Sequence, residues 1–190
     1  MKKIFLNLLI IFFILLIVSC TKKEIIVEND IEQCKLLEGT WLQTKLTEVT
    51  LGSDATDIYY VAGVAKYNTF TTLTFDINQN MQTKITNKLI SYESETEEGE
   101  FTQEELDLLF NQEIIINAKY VASDKNIQYE NTQISVNGSD FIPYDEYKNM
   151  NSQAEEKKQV LAWEIKDDKL ILTIYINNEK KETEYNRVPQ

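Results

Sequence analysis

The chain contains no histidine, so the commonest general base and the commonest metal ligand are both missing from its chemistry. It has two cysteines, Cys20 and Cys34, too few for a disulfide framework or a cysteine-built metal site. Arginine occurs once, at Arg187, and lysine and arginine together are outnumbered 19 to 31 by aspartate and glutamate. A formal charge of −12 excludes the clustered basic residues that phosphate contacts require, so nucleic acid is not an expected partner. Five glycines and two prolines leave no glycine-rich phosphate loop, and no nucleophile stands beside a base. These absences point away from an enzyme and from any metal or cofactor.

Lys2 and Lys3 precede a run from Ile4 to Val18 that is apolar except for Asn7. The run is shorter than the ~20 apolar residues that span a bilayer comfortably and fits the core of a secretory signal. It ends in Leu16-Ile17-Val18-Ser19-Cys20, which resembles the lipobox read in bacterial lipoprotein processing. That resemblance implies removal of residues 1–19 as a signal peptide and acylation of Cys20, with chains such as palmitate holding the protein to a membrane. Stable anchoring takes more than one chain, which a diacyl or triacyl cysteine supplies. Loss of Lys2 and Lys3 would change the charge from −12 to −14, so the anchor must be lipid rather than an acidic protein surface. Thr21 is not the aspartate that retains some lipoproteins at an inner membrane, which points to the outer membrane. Residues 20–35 read as the lipidated cysteine and a tether, polar apart from Ile25-Ile26-Val27 and without helical periodicity. Cys34 is then the one remaining thiol, an incidental tether residue.

Residues 36–190 read as a single domain of eight strands. The first is Thr40–Thr50. Leu73, Phe75 and Ile77 alternate with polar residues, turn at Asn78-Gln79-Asn80, and continue into Met81, Thr83 and Ile85. Glu113–Ala122 presents Ile114, Ile116, Ala118 and Tyr120 on one face and turns through Ser123-Asp124-Lys125-Asn126 into Ile127–Val136. Gln159–Lys166, Leu170–Asn177 and Lys181–Val188 follow, joined by short polar turns. Such turns imply antiparallel pairing, and eight strands in series suit an all-β, up-and-down barrel. Thr102-Gln103-Glu104-Glu105 has the form of a capping box, followed by Leu106, Leu109 and Phe110 on one helical face. A second short helix is expected within Asp145–Lys158.

Glu38-Gly39-Thr40-Trp41 opens the first strand with Gly-x-Trp, which resembles the N-terminal signature of the calycins, the lipocalins and fatty-acid-binding proteins. The segments Leu73–Met81 and Trp163–Leu172 resemble two hairpins of bacterial lipocalin-like lipoprotein domains, although the first lacks the usual turn glycine. The resemblance implies a lipocalin-like barrel over residues 36–190. It also implies closure of one end by Trp41 against Arg187, since a guanidinium over an indole is attractive.

All ten tyrosines fall after Cys20. Tyr59, Tyr60 and Tyr67 lie between the first two strands, and Phe141, Tyr144 and Tyr147 lie in the insertion Asn137–Lys158. Alternating strand direction puts both segments at the end away from Trp41, where these aromatics would line a ligand mouth or cap the core. The acidic run containing Glu93, Glu95, Glu97, Glu98 and Glu100 lacks the spaced ligands and central glycine of a calcium loop, and reads as a solvated loop. Two functions therefore stand open. One is a membrane-anchored barrel binding a small apolar or amphipathic ligand. The other is an acidic interaction lipoprotein with a filled core, meeting a basic protein partner such as an enzyme it inhibits. Trp163, Leu172, Ile174, Phe75 and Ile116 would fill the interior, whereas Ala118, Ala122 and Ala162 would leave room.

Overall fold

A computed structural model describes residues 29–51, 63–94, 102–151, 154, 156–176 and 179–189. The signal segment, Cys20, Tyr59, Tyr60 and residues 95–100 of the acidic run lie outside the described residues. The wall consists of β1 (Gly39–Leu51), β2 (Gly63–Phe75), β3 (Asn80–Ser94), β4 (Glu113–Ala122), β5 (Asn126–Val136), β7 (Lys158–Lys166), β8 (Lys169–Ile176) and β9 (Glu179–Arg187). Each pairs antiparallel with the next, β5 pairs directly with β7, and β9 returns to β1, giving a closed eight-stranded barrel. Closure leaves no free sheet edge along the paired stretches. A two-residue strand β6 (Ile142–Pro143) adds to β5 from outside this circuit. Among the described residues three short helices complete the fold: α1 (Ile31–Leu37), α2 (Gln103–Phe110) and α3 (Tyr144–Met150).

The alternation read in the sequence finds most of these strands to within one or two residues, but β3 continues well past Ile85 to Ser94, and β2 is also much longer than expected. It begins at Gly63 and pairs over its whole length with β1, from Leu51↔Gly63 to Gly39↔Phe75. Its inward positions Ala65, Thr69 and Thr71 are small or polar, so the alternation that marks a half-buried strand is faint there. Pairing on both sides, with β1 and β3, holds it extended regardless of that weak local signal.

The tether reading is corrected at its C-terminal end. Asp30 caps α1, its carboxylate accepting from the backbone N–H groups of Glu32 at 3.0 Å and Gln33 at 3.4 Å. Cys34 and Leu37, three residues apart, turn to the core and are buried. Cys34 is thus a core thiol rather than an incidental tether residue. Seven residues are too few for helical periodicity to stand out, and tertiary packing sustains so short a helix.

α1 closes one end of the barrel. Trp41 is 0% exposed, and its indole N–H donates to the Leu37 carbonyl at 2.8 Å. The Arg187 guanidinium lies over the indole, 4.2 Å from the ring centre. It also donates to the carbonyls of Leu36 at 3.0 Å and Glu38 at 3.2 Å, satisfying the end of α1 as a cation should. Gly39 has φ of +122°, a conformation side chains rarely adopt, so the glycine of Gly-x-Trp is required by the backbone. The tight connections β2–β3, β4–β5 and β7–β8 sit at this plugged end.

The other end receives α2 and α3. The capping box is present: the Thr102 hydroxyl accepts from the Glu105 N–H, and the Glu105 carboxylate accepts from the Thr102 N–H. Phe110, at the end of α2, is buried against Tyr67 and Tyr92, with ring centres 6.2 and 6.3 Å away. α3 is the second short helix expected within Asp145–Lys158; it begins one residue earlier, at Tyr144, and ends at Met150.

Candidate functional site

Between the plug and the two helices the barrel encloses a cavity of about 570 Å³. All eight wall strands contribute to its lining, together with Tyr144 and Tyr147 from α3. The volume lies within the range of small-molecule sites, ~300–1,000 Å³. The inward alternation of each strand explains the lining. On β3 to β7 it delivers mostly apolar groups, among them Met81, Ile85, Ile114, Ile116, Ile127 and Leu161. On β1, β2 and β9 polar groups are interspersed: Gln43, Lys45, Thr69, Thr71, Lys181 and Thr183, while Thr173 of β8 and its partner Glu182 of β9 border the cavity one residue out of that phase. The cavity therefore has an apolar wall facing a more polar one.

The sequence-predicted aromatics separate into three groups. Tyr144 and Tyr147 are buried, 6.0 Å apart between ring centres, and line the cavity. The Tyr147 hydroxyl accepts from the Asn151 side-chain amide at 3.0 Å, so its ring is fixed. Tyr67 is not on a loop but on the inner face of β2, packed with Phe110 and Ala65 above the cavity. Burial pushes its phenol up to about 12. Phe141 is 43% exposed and takes no part in the lining. Tyr59 and Tyr60 lie outside the described residues.

Ala162 is also corrected. It sits beside inward-facing Leu161 and Trp163 on β7 and so occupies the outer face, because side chains alternate along a strand. Trp163 itself is buried at the plugged end, its indole N–H donating to the Ser123 carbonyl at 2.9 Å. Large residues thus fill the plugged half of the interior and leave the middle free.

Three lining residues escaped the sequence reading. Asn131, on β5, is 2% exposed, and its side-chain amide nitrogen has no hydrogen-bond partner among the described residues. Lys45 and Lys181 look like ordinary surface lysines in sequence, but strand alternation turns both to the cavity side. Their only sequence signal was their phase: Lys45 is four residues from Trp41, and Lys181 is four from Tyr185. Among the described residues no three His, Cys, Asp or Glu side chains form a group able to hold a metal.

The site is that of a closed antiparallel barrel with a partly apolar interior cavity, consistent with the lipocalin-like class. No protein-family model, curated protein or solved structure matches the chain, so the fold class rests on strand order and register alone.

Proposed function

We propose that this protein is a membrane-anchored binding module that takes a small apolar or amphipathic molecule into its barrel. The carrying observation is the cavity of about 570 Å³ at mid-barrel, walled by residues from every strand. A solid interior, which the protein-interaction alternative requires, would have no such space. Tyr144 and Tyr147 supply aromatic surface at the helix-covered end, and buried Trp41 beneath the Arg187 guanidinium keeps the other end shut.

In this reading Cys20 carries the lipid, and the protein sits at the cell envelope, on the outer membrane. The tether runs from Cys20 to Asp30, whose backbone N–H donates to the Ala122 carbonyl at 2.7 Å at the plugged end. The intervening nine residues, 21–29, span at most ~30 Å when extended. The plugged end would then face the membrane.

Binding of the neutral fluorophore N-phenyl-1-naphthylamine tests the proposal. Saturable fluorescence enhancement is expected, weakened by Tyr144→Ala combined with Tyr147→Ala. No saturable binding to folded wild-type protein would refute it. Mass spectrometry of the membrane-purified protein tests the anchor: an acylated N-terminal Cys20 is expected, and an intact Met1 or unmodified Cys20 would refute it.

A further inference from the structure

The barrel closes only narrowly. β1 and β9 pair at just two positions, Trp41↔Arg187 and Leu42↔Asn186, although β1 continues to Leu51 and β9 begins at Glu179. Beyond Leu42 and Asn186, the facing edges of β1 and β9 are not paired with each other. Among the described lining residues only three are exposed, and all three flank this seam: Lys45 on β1, and Lys181 and Glu182 on β9. The cavity therefore reaches solvent sideways through its wall.

The charges at this mouth are unequal. Glu182 is ion-paired with Lys180. Neither Lys45 nor Lys181 has an ion pair or hydrogen bond among the described residues, in a chain of formal charge −12 whose other acidic groups outnumber its basic ones. Two unpaired ammonium groups thus stand where an otherwise acidic surface opens onto an apolar chamber. Deeper in, the amide nitrogen of Asn131, unpartnered among the described residues, offers two N–H donors on the opposite wall.

We infer that the ligand is an amphiphile with a single anionic headgroup, which rests between Lys45 and Lys181 at the β1–β9 seam while its apolar body fills the cavity. The inference rests on the binding-module reading and deepens it. The polar wall at the seam and the apolar wall on β3 to β7 divide the cavity in the same sense as such a molecule. The headgroup stays hydrated at the seam, so no anion has to be buried. Lysine suits this task as a flexible point charge that accepts carboxylate or phosphate alike. The negative field of the remaining surface repels anions elsewhere and leaves this mouth as the favourable approach.

Displacement of N-phenyl-1-naphthylamine from the wild-type protein separates the possibilities. Dodecanoate and dodecyl phosphate distinguish a carboxylate from a phosphate head, and dodecanol and dodecyltrimethylammonium serve as neutral and cationic controls. At least one anion is expected to bind about tenfold more tightly than dodecanol, as one charge-assisted contact provides. The cation is expected to bind more weakly still. Lys45→Glu combined with Lys181→Glu should abolish the anion's advantage over dodecanol, with each affinity read relative to that variant's own affinity for the neutral fluorophore. Lys88→Glu combined with Lys166→Glu, at exposed positions away from the cavity, makes the same charge change and should have little effect. Equal affinities for anion and alcohol, or equal losses in the two double variants, would overturn the inference with fluorophore binding still in place. Failure of the fluorophore to bind wild-type protein would instead overturn the binding-module reading itself.

Discussion

Replacing Arg187 by alanine removes three interactions at once. The guanidinium lies 4.2 Å from the Trp41 ring centre and donates to the Leu36 and Glu38 carbonyls. The side chain is exposed on its outer face, so the cation–π contact belongs at the low end of its range, ~0.5–1 kcal/mol. Each hydrogen bond contributes about 1 kcal/mol net of solvation. The sum is about 2–3 kcal/mol, with a fall in Tm of ~5–10 °C for a domain of this size. Arg187→Lys keeps a charge near the ring but loses the planar two-pronged donor, and should cost about half as much. Urea denaturation followed by tryptophan fluorescence gives both values, with the slope m unchanged if only the native state is affected. Because the same guanidinium ends α1, amide hydrogen exchange over residues 31–37 should accelerate in Arg187→Ala more than exchange in β4 or β5. A loss below about 0.5 kcal/mol, or unchanged exchange in α1, would refute the assignment of barrel closure to this residue.

Trp41→Ala removes a fully buried ring and its hydrogen bond to Leu37, and should destabilise by ~3–5 kcal/mol in the same urea assay. Because burial holds the Tyr67 phenol up to about 12, against 10 unfolded, the folded chain retains its proton longer. The stability this group contributes is complete below pH 10 and lost as pH rises from about 10 to about 12, so unfolding free energies should fall across that window and fall less in Tyr67→Phe. Asn131→Leu replaces an unpartnered buried amide by hydrocarbon and should tighten the neutral fluorophore about three- to tenfold by titration. Gly39→Ala places a side chain at φ +122° and should destabilise by ~1–3 kcal/mol, measured by thermal unfolding.

The sequence alone specified the strands whose inner faces are continuously apolar, because period-two alternation is a local property. β4 carries Ile114, Ile116, Ala118 and Tyr120 on one face, and its bounds were legible to the residue. The cap of α2 was legible for a related reason: a threonine and a glutamate three residues apart satisfy each other without help from the rest of the chain. The lone arginine and Gly-x-Trp marked the two ends of the wall. What the tertiary structure decided were features whose partners lie far away along the chain. α1 is too short to stand without the barrel floor beneath Leu37, and β2 is kept extended by two neighbours rather than by its own threonines. The seam depends on where β1 and β9 cease to pair, two strands whose paired residues lie more than 140 positions apart. Lys45 and Lys181 are surface lysines by composition, and only the closing of the barrel sets both beside one opening, because a strand's inward phase acquires meaning when there is an inside.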